Sequence, residues 1–362
     1  MRPGKKAIIL AIVLSICIII RLYSASDLRV ENGYAAGFFP SFSAGLRYFL
    51  GKIPFSIGDI GYGALIIFLG WKLYRFFRFV YKQRSKAVYL QRLKQFVYST
   101  LLAFALVYIV FNIFWGINYN RKGIAWQLGL PEQKYTAEEL RQMNCLLLDK
   151  VNGSKRSLQK KGESYPDNKE LFSMVTNAYS VLAREYPFLA YRPASVKPSM
   201  WGWFGNYAGF TGYYNPFTGE AQVNTTIPKF LQPFTTCHEV AHQIGYAKEM
   251  EANFVGYLAA SASKDTLLHY SVYLDLFTYA NRNLLMNDSL SARVYAMELD
   301  PAVKADIIEW RKFNRSHQGK LEPLVRWAYG KYLQSNQQPN GISSYDEVTG
   351  FLIAYYKKFG RI

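Results

Sequence analysis

Thr235-Thr236-Cys237-His238-Glu239-Val240-Ala241-His242-Gln243-Ile244-Gly245, followed at once by Glu249-Met250-Glu251-Ala252-Asn253, is the stretch around which the rest of the chain can be read. It spells HExxH, a turn, then ExxAN. On a helix, His238 and His242 lie one above the other on one face, where two imidazoles can hold the same metal ion. Glu239 sits one position round from His238, beside that ion, where a general base is needed to take a proton from water. The chain has 4 histidines and 25 acidic residues among 362. Even if every acid were Glu, HExxH would arise by chance about 0.003 times per chain of this composition, so coincidence is a poor explanation. The plain alternative is a pair of packed core histidines, each with its own hydrogen-bond partner.

Local signals agree with the helix. Pro233, Thr235 and Thr236 supply a start, and Gly245 supplies a stop just past His242. A second helix begins near Ala247. Glu249, Ala252, Asn253, Gly256 and Ala260 share one face of it, while Glu251, Phe254, Val255 and Leu258 share the opposite face. The first face is small enough to approach the metal helix closely, which makes Glu249 the expected third ligand and Asn253 a partner that orients a ligand histidine. Glu251 is the alternative ligand, because the turn after Gly245 can rotate the helix. Two histidines and one glutamate leave a fourth position open, as in catalytic rather than structural zinc sites, and the donor set suits Zn²⁺. Tyr270, with His269 beside it, is a candidate group for stabilising an oxyanion.

The formal charge of +18 raises the question of nucleic acid, but its position answers it. Eight basic and no acidic residues fall between Lys72 and Lys94, beside apolar segments, and no nucleic-acid motif with interleaved aromatics occurs. The apolar runs predict three membrane helices near 7–23, 57–78 and 95–118, the last being 24 residues without a charge. A cleavable signal peptide is the rival reading of the first, with Ala25-Ser26 as the small residues. The basic ends, Met1–Lys6 and a loop over 72–94, belong in the cytoplasm by the positive-inside rule. The chain then crosses outward, inward and outward again. Residues 1–118 form the anchor in the cytoplasmic membrane, with the mixed segment 24–55 along the outer boundary. Residues 119–362 form one extracytoplasmic domain.

Within that domain, Thr136-Ala137-Glu138-Glu139 is a capping box opening a helix through about Lys150. Residues 152–168 read as an exposed connection, and 169–185 as a helix stopped before Pro187. Glu220–Ile227 alternates as a strand, either an edge strand that pairs with an extended substrate or a core strand. The aromatic and glycine-rich Trp201–Tyr214 is expected as core, cleft wall or a membrane-facing patch. Four helical segments follow near 263–283, 301–315, 322–334 and 344–359, the last opened by a capping box at Ser344-Tyr345-Asp346-Glu347. His317, among basic residues, is expected at the surface. Three cysteines make no metal site or disulfide framework; Cys145 and Cys237 are expected as buried thiols.

The metal segment resembles gluzincin metallopeptidases, in which HExxH on one helix is joined by a Glu from the next. It departs from the commoner pattern in carrying Asn253 where many members have Asp. Over its length the chain resembles a bacterial family of membrane-anchored proteins, domain of unknown function 3810. Gly212-Tyr213-Tyr214-Asn215-Pro216-Phe217-Thr218-Gly219-Glu220-Ala221, Pro233-Phe234, the metal segment and Ser344-Tyr345 carry that resemblance. The family name supplies no substrate; the gluzincin resemblance implies a mainly α, α+β zincin-like domain with a small sheet before the HExxH helix, and a zinc metallopeptidase acting on a peptide or protein substrate. A non-catalytic, zinc-stabilised envelope scaffold and an amidase acting on a cell-envelope substrate remain open alternatives.

Overall fold

The computed structural model describes residues 3–82, 86–162, 164–319, 321–341, 343 and 347–362. The first part of the chain is carried by helices α1 (Pro3–Ser24), α2 (Phe39–Leu50), α3 (Ile57–Lys82) and α4 (Lys86–Phe114). Within α1, α3 and α4 lie three stretches long and apolar enough to cross a membrane, Gly4–Ser24, Ile57–Tyr81 and Val88–Phe114. The third ends at Phe114 rather than near 118, because the chain tightens into a 3-10 turn over Gly116–Asn120. The basic stretch expected as a loop is instead mostly helical, with residues 83–85 outside the described residues. Lys and Arg are strong helix formers, and here they also lie over rings along the helix, Lys72 over Phe68 and Arg75 over Trp71.

The mixed segment after α1 packs beneath the helix that carries HExxH. A π-helical stretch, Val30–Phe38, runs directly into α2. Val30, Tyr34 and Phe39 cluster with Trp115, Ile117 and Ala247. Ser43 Oγ donates to the Gln243 carbonyl at 2.9 Å, and Arg47 Nε to that of Pro193 at 2.9 Å. Glu31 and Arg121 form an ion pair at 2.7 Å with side chains only 2% and 3% exposed.

Helix α5 (Ala137–Lys161) opens with the expected capping box but continues well beyond Lys150. Val151 is buried there and Asn152 donates to the Glu298 carbonyl, so the expected connection begins only at Gly162. Helix α6 (Asn168–Glu185) is capped by Asp167. Next come β1 (Val196–Pro198), α7 (Gly202–Ala208), β2 (Gly212–Asn215) and β3 (Glu220–Val223). The sheet order is β1-β3-β2, with β1 parallel and β2 antiparallel to β3. Of the two readings of this strand, substrate-pairing edge and core strand, the second holds, since β3 is the central strand. All four of its residues are buried and both its sides are paired; β2 holds the edge position.

Helices α8 (Gln232–Gln243), α9 (Glu249–Ala262), α10 (Thr266–Asn287), α11 (Ser289–Met297), α12 (Pro301–Ser316), α13 (Leu321–Ser335) and α14 (Val348–Phe359) complete the mostly helical chain. Helix α11 was not anticipated, and the second capping box lies mostly outside the described residues. The core gathers Leu147, Val175, Tyr179, Val240, Phe254 and Leu352 from five helices. Cys237 is buried in it, but Cys145 is on the exposed side of α5 and all three cysteines are free.

A polar cluster fastens the sheet to the start of α3. Lys197 Nζ donates to the carbonyls of Leu50 and Phe55 at 2.7 and 3.0 Å and to Glu220 Oε1 at 2.6 Å. Glu220 in turn accepts from the backbone N–H groups of Ile57 and Gly58 at 3.2 and 2.8 Å. A carboxylate from the central strand thus satisfies the open N–H groups at the beginning of an apolar helix and complements its dipole. Gly58 is needed for this approach, since a Cβ there would stand 2.1 Å from Asn215 Nδ2.

Asp275 on α10 is nearly buried, and burial pushes its carboxyl up to about 7 from 3.8 against the opposing pull of Arg282. Between those values the unfolded chain ionises this group and the folded chain does not, so stability from it falls as pH rises and levels off above about 7. Asp275→Asn stays neutral. Its Tm advantage over the parent should therefore grow by several degrees between pH 5 and pH 8 in thermal unfolding. A difference that does not change with pH would show that Asp275 is ionised in the folded protein.

Candidate metal centre

Helix α8 begins with Pro233 in its first turn and ends where Gly245 takes φ 97°, a left-handed conformation that glycine adopts without strain. The turn brings α9 back across α8. The two backbones meet at Gly256, where a Cβ would stand 3.2 Å from the His238 N and 3.3 Å from the Cys237 carbonyl carbon. This close crossing aims three side chains at one point. His238 Nε2 lies 3.1 Å from His242 Nε2, and Glu249 Oε2 lies 3.2 Å from the first and 3.5 Å from the second.

The far side of each ring is also occupied. His242 Nδ1 is 2.7 Å from the Tyr246 carbonyl and His238 Nδ1 is 2.8 Å from Asn253 Oδ1. A carbonyl only accepts, so Nδ1 of His242 carries the ring proton and Nε2 presents a lone pair; the Asn253 oxygen sets His238 the same way. Two neutral rings and a carboxylate then direct acceptor atoms at one another. Only a cation or a shared proton between them removes that repulsion. Burial alone would raise the Glu249 carboxyl; where a proton is shared, the charged His242 and His238 imidazoles outweigh burial and hold the group well below the usual carboxylate range. Glu239 stands alongside. Its Oε2 is buried with no hydrogen-bond partner, and burial raises its carboxyl to about 7, with the histidines lowering it and Glu249 raising it. Gly212 of β2 presses on it: a Cβ there would lie 2.6 Å from Glu239 Oε1.

The sequence matches the family model described as "Protein of unknown function (DUF3810)" over residues 34–353. The chain belongs to that family. The match begins at Tyr34 beneath the metal helix and runs into α14, so it takes in the whole site. Comparison with curated proteins and with solved structures finds no match.

In this DUF3810 chain, His238, His242 and Glu249 come together as the sequence suggests, and among the described residues they are the one such group whose donor atoms lie within 4.8 Å of one another. Asn253 sits where it was expected. Glu251 does not join them. It is buried on another side of α9, packed against Gly123 and facing Lys248, Arg121 and Glu31. Tyr270 is also elsewhere: its hydroxyl donates to Asp306 and Lys155 lies over its ring, because α10 turns that position toward α12 rather than toward α8. His269 bonds to the Ser263 carbonyl, and His317 is half-buried against Phe313 and Tyr207. Two contacts were not foreseen. Tyr329 on α13 donates to Glu249 Oε1 at 2.6 Å, fixing the carboxylate oxygen that does not face the histidines. Trp115, one residue past α4, donates its indole N–H to the His242 carbonyl at 3.2 Å, its ring 5.9 Å from the imidazole. Tyr329 is one of 29 tyrosines and no spacing marks it; Gly212 lies in the resemblance-bearing stretch, but its reason appears only in three dimensions.

Proposed function

We propose that this chain is a zinc-dependent metallopeptidase, anchored in the cytoplasmic membrane by α1, α3 and α4 with its metal centre on the extracytoplasmic side. One observation carries the reading. Ligands about 2.0–2.1 Å from zinc and separated by the tetrahedral angle stand roughly 3.3 Å apart. His238 Nε2, His242 Nε2 and Glu249 Oε2 are 3.1, 3.2 and 3.5 Å apart, three corners of such a tetrahedron, and no fourth acidic, histidine or cysteine side chain joins the cluster among the described residues. The open corner supports a catalytic site, and the succession of small sheet, HExxH helix and glutamate helix supports a zincin-like domain. The basic residues at Lys5, Lys6 and along 72–94 support cytoplasmic ends for the spans.

When bound at these atoms, zinc supplies Lewis acidity toward water and a carbonyl oxygen. The protein supplies the rest. Asn253 and the Tyr246 carbonyl hold the rings in the tautomer that presents the Nε2 lone pair, and Tyr329 steadies Glu249. Glu239 takes the proton from the attacking water and delivers it to the departing amine of the peptide. The edge strand β2, which touches Glu239 through Gly212, is placed to pair with an extended substrate backbone.

The near-burial of the cluster, with His238 8% and Glu249 2% exposed, favours one competing reading, a metal that only ties α8 to α9. Chelation separates the two. Peptide hydrolysis by the purified chain should disappear with a zinc chelator and return with added Zn²⁺. Loss of thermal stability on chelation, with no hydrolysis of any peptide pool before it, would support the structural role instead.

A further inference from the structure

The aromatic helix α7 and the methionine before it are held against the first turns of α3. The Met200 backbone N–H donates to Asp59 Oδ2 at 2.8 Å, and the Trp201 indole N–H donates to the Asp59 carbonyl at 3.2 Å. Further along α3, a Cβ on Gly63 would stand 3.3 Å from the Trp201 ring. Gly63 lies about 9 Å along the helix axis from Ile57, so the ring covers the outermost part of an apolar span. On the other side of this contact the segment is bare: Trp203 is 70%, Met200 60% and Phe204 40% exposed. The surface of α3 that continues from it is equally open, with no buried residue from Ile60 to Tyr81.

We infer that Met200, Trp203 and Phe204 seat in the headgroup boundary of the same bilayer that α3 crosses, on the side where the metal centre lies. Large amphipathic rings concentrate at this depth, where an apolar face sinks roughly 5–10 Å below the headgroups. The occupant is lipid because the patch is continuous with the apolar flank of α3 and is fixed to its first turns by backbone and indole hydrogen bonds. Two further contacts tie the spans to the centre: Trp115, just past α4, donates to the His242 carbonyl on α8, and Glu220 of β3 accepts from the start of α3. The centre therefore rides at the membrane surface. The inference rests on the membrane-spanning part of the proposed function and not on its peptidase chemistry.

The test reads tryptophan fluorescence of the full-length protein in phosphatidylcholine vesicles brominated near the headgroup end of the acyl chains. The parent is compared with Trp203→Tyr and with Trp71→Phe, which removes a tryptophan within α3. Both variants should lose a share of the bromine quenching, with Tm unchanged in Trp203→Tyr. Quenching that falls in Trp71→Phe but equals the parent in Trp203→Tyr overturns the inference and leaves the spans intact; protein, such as a second copy of the chain, then covers the patch. Quenching unaffected by either substitution overturns the spans as well.

Discussion

Under the proposed hydrolysis, Glu239→Gln should lower kcat by roughly 10²–10⁴-fold and leave zinc content unchanged. Glutamine keeps the shape that packs against Gly212, where space is already tight, so the helix and the three ligand side chains stay in place. It cannot accept a proton from water. Glu239 is suited to that task by burial, which raises its carboxyl to about 7, and by an Oε2 that no protein group occupies. Peptide hydrolysis and metal content measured on one preparation check both halves. A variant that hydrolyses as fast as the parent would remove Glu239 from the mechanism.

Lys197→Met costs about 3–5 kcal/mol of stability, the usual penalty for leaving one partner of a buried ion pair behind. The pair is Lys197 and Glu220, with side chains 3% and 0% exposed. Thermal unfolding of the full chain should show a fall in Tm on the order of 10 °C. Adding Glu220→Leu relieves the stranded charge but only part of the loss, since the N–H groups of Ile57 and Gly58 then lose their acceptor. A Tm for Lys197→Met within a degree or two of the parent would mean that water reaches the cluster and that the sheet is not fastened to α3 as described.

The metal helix was legible because short-range rules decide it. Pro233, the four-residue spacing of the histidines and Gly245 act within one or two turns, and the small face of α9 forces the side that meets α8. The three apolar spans follow from length and charge alone. What failed depends on partners distant in sequence. The alternation over Glu220–Val223 leaves an edge and a core strand equally open, and only β1, arriving from Val196–Pro198 to pair with its other side, decides for the core. The polar surface of 152–161 reads as a loop, but Val151 and Asn152 find burial and a carbonyl partner across the domain. Tyr270 has a plausible residue type for oxyanion binding, and the rotation of α10 gives it to Asp306. Tyr329 shows the converse: nothing local marks it, and only the docking of α13 brings it to Glu249. The fastening of α3 by Glu220 is of the same kind, a contact across 163 positions.

The most direct test of the metal centre is the zinc content of the purified full-length chain beside Glu249→Ala and Glu251→Ala. The geometry predicts about one zinc per chain in the parent and in Glu251→Ala, and at least a tenfold weaker hold in Glu249→Ala. A well-folded parent that neither contains zinc nor takes it up, or a site lost with Glu251 and kept without Glu249, would contradict it.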